Sequence, residues 1–234
     1  MKKKILAMCL CVAMLAIAIV GGTLAYFTDT DAETNVFTTG NVVIDLIETF
    51  DKENAKLMPG IDIQKEVTVK NTGTENAFVR VHIAIPSMLD SGSEDQPQFA
   101  AYNNTLHWNF TLASTADGLW NWNADADGAG YPGNGGTWNM YQQEVDGILY
   151  NVYVVTYETA LAANAETADK AITKVYLDTG VTNEMMNGII KELGKTPKIL
   201  VVAEGAQEAG FEGKPYEALN TQFGVPGTYN PWAN

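Results

Sequence analysis

The sequence predicts an all-β chain, an antiparallel jelly-roll-like β-sandwich with a few short helices and one long loop-rich insertion. Three observations predict it. Six to nine segments alternate apolar and polar side chains with period 2 and are rich in β-branched residues. Turn-forming Gly, Pro and Asn stand between them at hairpin spacing. Runs of helical period are few, which argues against an α/β layout, and no fixed-period repeat is visible.

Val42, Ile44 and Leu46 alternate with Val43, Asp45 and Ile47 as the first strand. Leu57-Met58-Pro59-Gly60 is a turn, because Pro fixes φ and Gly accepts a positive one. Ile63 to Lys70 reads as a strand, Asn71-Thr72-Gly73-Thr74 breaks it, and Ala77 to Ile85 resumes extended structure until Pro86. Two strands around so short a turn predict a hairpin. From Ser87 to about Gly147 the texture changes to Gly, Asn, Asp and Trp, an insertion of loops with strands expected at Leu106–Leu112 and Thr137–Glu144. Ile148 to Tyr157, aromatic and β-branched throughout, predicts a central strand.

Ala160 to Ala168 reads as a loop or a frayed helix, and Ala171 to Leu177 as a strand. Thr182 or Asn183 caps a helix over Glu184–Leu193, with Met185, Ile189, Ile190 and Leu193 on one face and Gly194 as its stop. Lys198 to Gln207 is the last strand, and Pro215 suits the first turn of a short helix ending near Phe223. The tail, 224–234, has two prolines and no period.

The chain opens on Met1-Lys2-Lys3-Lys4 and then runs uncharged through 16 residues from Ile5 to Val20, the layout of an export signal and short of the roughly 20 residues of a membrane span. Thr23 and Ala25 give the small-x-small pattern that a signal peptidase accepts, so residues 1–25 are expected to be a cleaved signal peptide and Tyr26 the new N-terminus. Both cysteines, Cys9 and Cys11, lie inside the signal, so the 209-residue mature chain has neither disulfide nor thiolate and rests on packing. It carries 11 basic and 28 acidic residues, a net charge of −17. That argues against a nucleic-acid partner and makes self-association sensitive to salt, pH and divalent cations. The expected location is secreted, on the cell surface or in an extracellular matrix, with membrane contact only through the signal.

No His-Glu-x-x-His is present, and the two histidines are His82, in a strand between Val81 and Ile83, and His107, before Trp108. No Gly-x-Ser-x-Gly elbow surrounds a serine, and no acid/base pair stands out among the carboxylates. Asn123, Asp125 and Asp127 before Gly128 space oxygens as the first half of a calcium loop does, although position twelve is Asn134 where a bidentate Glu is wanted. An acidic surface loop explains the same residues; otherwise no cofactor is expected. Trp120 and Trp122 are candidates to stack on a sugar ring, against the commoner role of packing a loop onto a sheet.

Three places resemble one family. They are Gly21-Gly22-Thr23-Leu24-Ala25-Tyr26-Phe27-Thr28-Asp29; Leu57-Met58-Pro59-Gly60 with Val67 to Thr74 and the strand from Ala77; and Val202 to Phe211 with Glu217-Ala218-Leu219. Together they resemble the TasA and camelysin family of exported proteins of Gram-positive bacteria, processed by the dedicated signal peptidase SipW. The resemblance spans about 1–85 and 198–223 and leaves the Trp-rich middle as an insertion. It implies a jelly-roll domain over about 38–223 that assembles with itself, and with other matrix components, into biofilm matrix fibres. It also implies that the segment freed by cleavage, about Tyr26 to Phe37, pairs as a donor strand with a neighbouring subunit, with Phe27, Val36 and Phe37 as anchors beside Thr28 and Asp29. The camelysin name brings a metallopeptidase label, and the missing zinc motif argues against that activity. A surface module that binds glycan or protein through the insertion is the other class of reading.

Overall fold

The structure, a computed structural model, describes residues 41–50, 58–90, 105–109, 120–121, 140–194 and 198–233, all within the unit 35–234. The described elements run β1 (Ile44–Thr49), β2 (Ile63–Asn71), β3 (Ala77–Pro86), β4 (Leu106–Asn109), β5 (Trp120–Asn121), β6 (Met140–Val145), β7 (Ile148–Tyr157) and β8 (Ile172–Leu177). Helix α1 (Asn183–Leu193), β9 (Leu200–Gln207) and helix α2 (Pro215–Phe223) complete them. One antiparallel sheet has the order β1-β2-β8-β4; the other has β5-β7-β3-β9, with β6 also pairing β7. The all-β sandwich read from the pattern is the fold observed.

The sheets close on a shared core. Val67 and Val69 of β2, Ile172 and Val175 of β8, Val79, Val81 and Ile83 of β3, and Tyr153 and Val155 of β7 are all buried in it. β7 is central, as its aromatic and β-branched run predicts: β3 pairs one edge, while β6 and β5 follow each other along the other, at Met140↔Tyr153 and Trp120↔Tyr157. The β6–β7 hairpin turns on Asp146 and Gly147, at φ 51 and 75, the left-handed pair that a two-residue hairpin turn demands.

The expected hairpin of β2 with β3 is not formed. β2 pairs with β1 and β8, and β3 lies in the opposite sheet beside β7 and β9, so the turn at 72–76 is a corner of the sandwich. The reason is tertiary. Asn71 donates to the carbonyls of Glu75 and Leu161, and the amides of Thr72, Gly73 and Thr74 bond to Val43 and Asn41, which draws the corner onto the strand before it. Gly73 is obligatory there, because a Cβ would stand 2.1 Å from the Asn41 carbonyl oxygen.

The Trp-rich insertion supplies structure as well as loops. β4 joins the first sheet and β5 and β6 the second; of the expected strands at 106–112 and 137–144, residues 110–112 and 137–139 lie outside the described residues. Its Trp108 and Trp120 are buried in the common core against Tyr153 and Tyr157, ring centroids 4.6 and 4.9 Å apart. The 160–168 segment is a loop, as one of the two readings expected, with a turn at 163–164 where Asn164 takes φ 64, and it bridges to both sheets, Leu161 to Ala77 and Glu166 to Lys70. Thr182 caps α1 through a bond from the Met185 amide, and Gly194 ends it at φ 68. The helix packs through Met186, Ile189 and Leu193, not through the expected Met185 and Ile190, which are exposed.

Candidate functional site

β3 is buried over its whole length, so its outward residues are as enclosed as its core-facing ones. Phe78 and Ala84 meet that demand with apolar surface; Arg80 and His82 must meet it with partners, since a buried unpaired charge costs several kcal/mol. Register brings one of them directly alongside, pairing Arg80 with Glu204 of β9.

Chain geometry brings the rest. Pro215 starts α2, Gly224 ends it at φ 95, and the segment after it turns back over β3 and β9. The guanidinium donates from Nε to Glu204 Oε2 at 2.5 Å, from Nη1 to Asn220 Oδ1 at 2.7 Å, and from Nη2 to the Gly224 carbonyl at 2.9 Å and the Tyr229 hydroxyl at 2.8 Å. Tyr229 in turn donates a hydrogen bond from its hydroxyl to Glu204 Oε1 at 2.6 Å. His82 Nε2 lies 3.2 Å from Glu204 Oε2, and Nδ1 lies 3.2 Å from the Tyr141 hydroxyl. An ionised carboxylate can only accept, so in a neutral His82 the proton sits on Nε2 and Nδ1 accepts from Tyr141. The rings of Tyr141, Tyr229 and Trp232 stand edge-on around the imidazole at 6.1, 6.2 and 6.4 Å.

The electrostatics follow. Burial pushes His82 below the ordinary histidine value, against the pull of Glu204. Burial also opposes ionisation of Glu204, yet His82, the Arg80 charge and the Tyr229 hydrogen bond outweigh it and bring its pKa to about 2. Tyr229 is raised well above the ordinary phenol range, first by burial. At neutral pH the cluster is therefore a closed Arg⁺–Glu⁻ pair with neutral imidazole and phenols around it. It joins β3, β6, β9, α2 and the tail, and what it does chemically is hold them together.

His107 is placed differently. On β4 its Nε2 lies 3.1 Å from Asp178 Oδ2 and its ring stacks on Tyr176, centroids 5.0 Å apart. Asp178 is lowered first by the Gly180 amide and then by His107. The two histidines lie in different sheets, and among the described residues no group of three His, Cys, Asp or Glu is gathered as a metal site. A second buried carboxylate, Asp90, takes the Tyr153 hydroxyl at 2.5 Å and the Asn151 amide at 3.2 Å where the insertion leaves β3.

Of the residues singled out from sequence, Thr23, Ala25, Tyr26, Phe27, Thr28, Asp29, Val36 and Phe37 lie outside the described residues, as do Asn123, Asp125, Asp127 and Trp122. Trp120 is described and corrected: it is fully buried, its indole donates to the Asp169 carbonyl at 2.8 Å, and Tyr157 packs edge-on to it, so it offers no open face to a sugar. The cluster residues Arg80, Glu204, Asn220 and Tyr229 escaped the sequence reading. The available signal was Arg80 and His82 at alternate positions of a strand otherwise apolar on both faces, matched by the lone Glu204 in Val-Val-Ala-Glu-Gly-Ala.

The family whose model matches is described as camelysin metallo-endopeptidase. It matches residues 1–110. The resemblance to the TasA and camelysin family is thereby shown over that span, which takes in β1 to β4 and with them Arg80, His82 and His107. Glu204 and Tyr229 lie beyond the matched region. Among curated proteins none matches it.

Proposed function

We propose that this camelysin-type protein is a structural, non-enzymatic subunit. In this reading it is exported, cut after Ala25, and assembled with itself into extracellular fibres of a biofilm matrix by donating Tyr26–Phe37 to a sheet edge of the next copy. The observation that carries the reading is the span of the family match, which starts at residue 1 and runs through the signal and the freed segment into the sandwich. The topology supports an acceptor: among the described residues β1 and β4 border one sheet and β9 borders the other, and a strand edge is where main-chain bonds can be added in trans. A head-to-tail contact of this kind propagates a filament wherever its rotation does not close into a ring.

The family description names a metallo-endopeptidase, and the geometry supports the structural reading over it. His82 is sealed with both ring nitrogens engaged, and His107 is engaged with Asp178. The residues a zinc peptidase would spend on metal are spent here on folding. With a mature charge of −17, assembly is expected to strengthen with salt, acid or calcium, whether or not Asn123, Asp125 and Asp127 form a site.

The test is electron microscopy of protein that begins at Tyr26. Filaments that vanish when residues 26–37 are deleted support the reading; filaments unchanged by that deletion refute strand donation. Zinc-dependent, chelator-sensitive proteolysis by the clean protein would restore the enzyme.

A further inference from the structure

We infer that residues 224–233 form an acid-released strap, docked on the outer face of the β7–β3–β9 sheet by the cluster around Glu204 and freed from it when that cluster gains protons. Geometry makes the strap separable. Beyond the Gly224 amide, which bonds back to the Asn220 carbonyl of α2, its backbone bonds, Thr228 to Val225 and Ala233 to Asn230, run within the segment and do not extend the sheet. Three polar ties to the sheet meet at one place: the Gly224 carbonyl on Arg80, and the Tyr229 hydroxyl on both Arg80 and Glu204. Trp232 adds an apolar tie, lying against the cluster of Ala84, Val152 and Val154.

The ties to Glu204 are strongest while it is an anion, because charge assistance roughly doubles such hydrogen bonds. The groups facing it and His82 are Arg80 on the same strand as His82, Tyr141 from β6, Asn220 from α2 and Tyr229 from the strap. The positions paired beside them on β7 are Thr156 and Val154, which carry no charge. At neutral pH the one cation and one anion balance. A proton on His82 places a second cation beside Arg80, and a proton on Glu204 removes the anion that both cations share and leaves Tyr229 a weaker, neutral acceptor. The core between the sheets contains none of these groups, so it keeps its packing while the strap loses its anchor.

Hydrogen exchange on the mature chain, read by peptide and corrected for intrinsic rates, tests this across pH. Peptides from 225–233 should lose protection below the ordinary histidine value of 6.5 while β3 and β7 keep theirs. Strap and β3 losing protection together, or a strap protected down to about pH 4, would overturn the inference. His82→Gln, which cannot take the proton, should move release about one pH unit lower, and Tyr229→Phe, which keeps the ring and loses both bonds, should move it higher. Should His82→Gln fail to fold, an unmoved midpoint in Tyr229→Phe alone decides against the strap.

Discussion

Gly205 of β9 lies beneath Ile44 of β1 so closely that a Cβ at 205 would stand 2.8 Å from Ile44 Cγ2 and 3.2 Å from its Cδ1. This is where the edge strand of one sheet seats on the edge strand of the other. The atoms in the way belong to a stiff, β-branched, fully buried side chain, so they have no cheap retreat. Gly205→Ala is expected to destabilise the domain by about 1–3 kcal/mol in urea unfolding. With Ile44→Ala as partner, the two costs should sum to more than the double variant shows, because the smaller residue makes room. A Gly205→Ala protein as stable as the parent would show that the two edges are not in contact.

Arg80 makes a sharper case. Truncating it to Ala leaves Glu204 charged, buried and short of its nearest cation, and breaking a buried pair from one side costs about 3–5 kcal/mol. Replacing both partners, Arg80→Met with Glu204→Leu, should recover most of that loss. A cost for Arg80→Ala below about 1 kcal/mol, the range of exposed pairs, would mean that the cluster is open to water.

How much of this was legible follows from where the deciding contacts lie. β3, β7 and β9 could be read because their side chains report their own burial along the strand. The corner at Gly73 could not, since a hairpin and a sandwich corner use the same short polar turn, and what separates them is Asn41, Val43 and Leu161. The tail read as periodless, and it is. Its order comes from Tyr229 meeting Arg80, 149 positions earlier, a coincidence that no local pattern encodes. Trp120 read as a ligand or loop aromatic because it stands among short polar segments; only pairing with β7 takes it into the core.

Acid stability should carry the mark of Glu204. Its pKa falls from an ordinary 4.5 to about 2 on folding, so the unfolded chain binds the proton more tightly. The stabilisation is complete above pH 4.5 and is lost as pH falls from there toward 2. Its size is about 3 kcal/mol, the free energy of a shift of that order. His82, depressed by burial, adds loss in the same direction, beginning below 6.5. Unfolding free energy measured against pH should decline through both ranges, and Glu204→Gln should flatten the lower one. An unchanged slope in Glu204→Gln would place the acid sensitivity in other carboxylates.

Trp120 separates packing from recognition. Its side chain is buried, bonded to the Asp169 carbonyl and set edge-on against Tyr157, so Trp120→Ala opens a large cavity between β5 and β7 and leaves that carbonyl without its donor. The expected cost is about 3–5 kcal/mol. Trp120→Phe keeps most of the apolar volume and loses the hydrogen bond, and should cost less. A recognition residue behaves the other way: its replacement leaves the melting temperature in place and removes binding. Melting curves of Trp120→Ala beside Trp122→Ala, each paired with a glycan-binding measurement, therefore decide what the insertion does. A stable Trp120→Ala protein would overturn its place in the core. Glycan binding lost only in Trp122→Ala would assign recognition to Trp122 and leave Trp120 as the residue that pins β5 to the sheet.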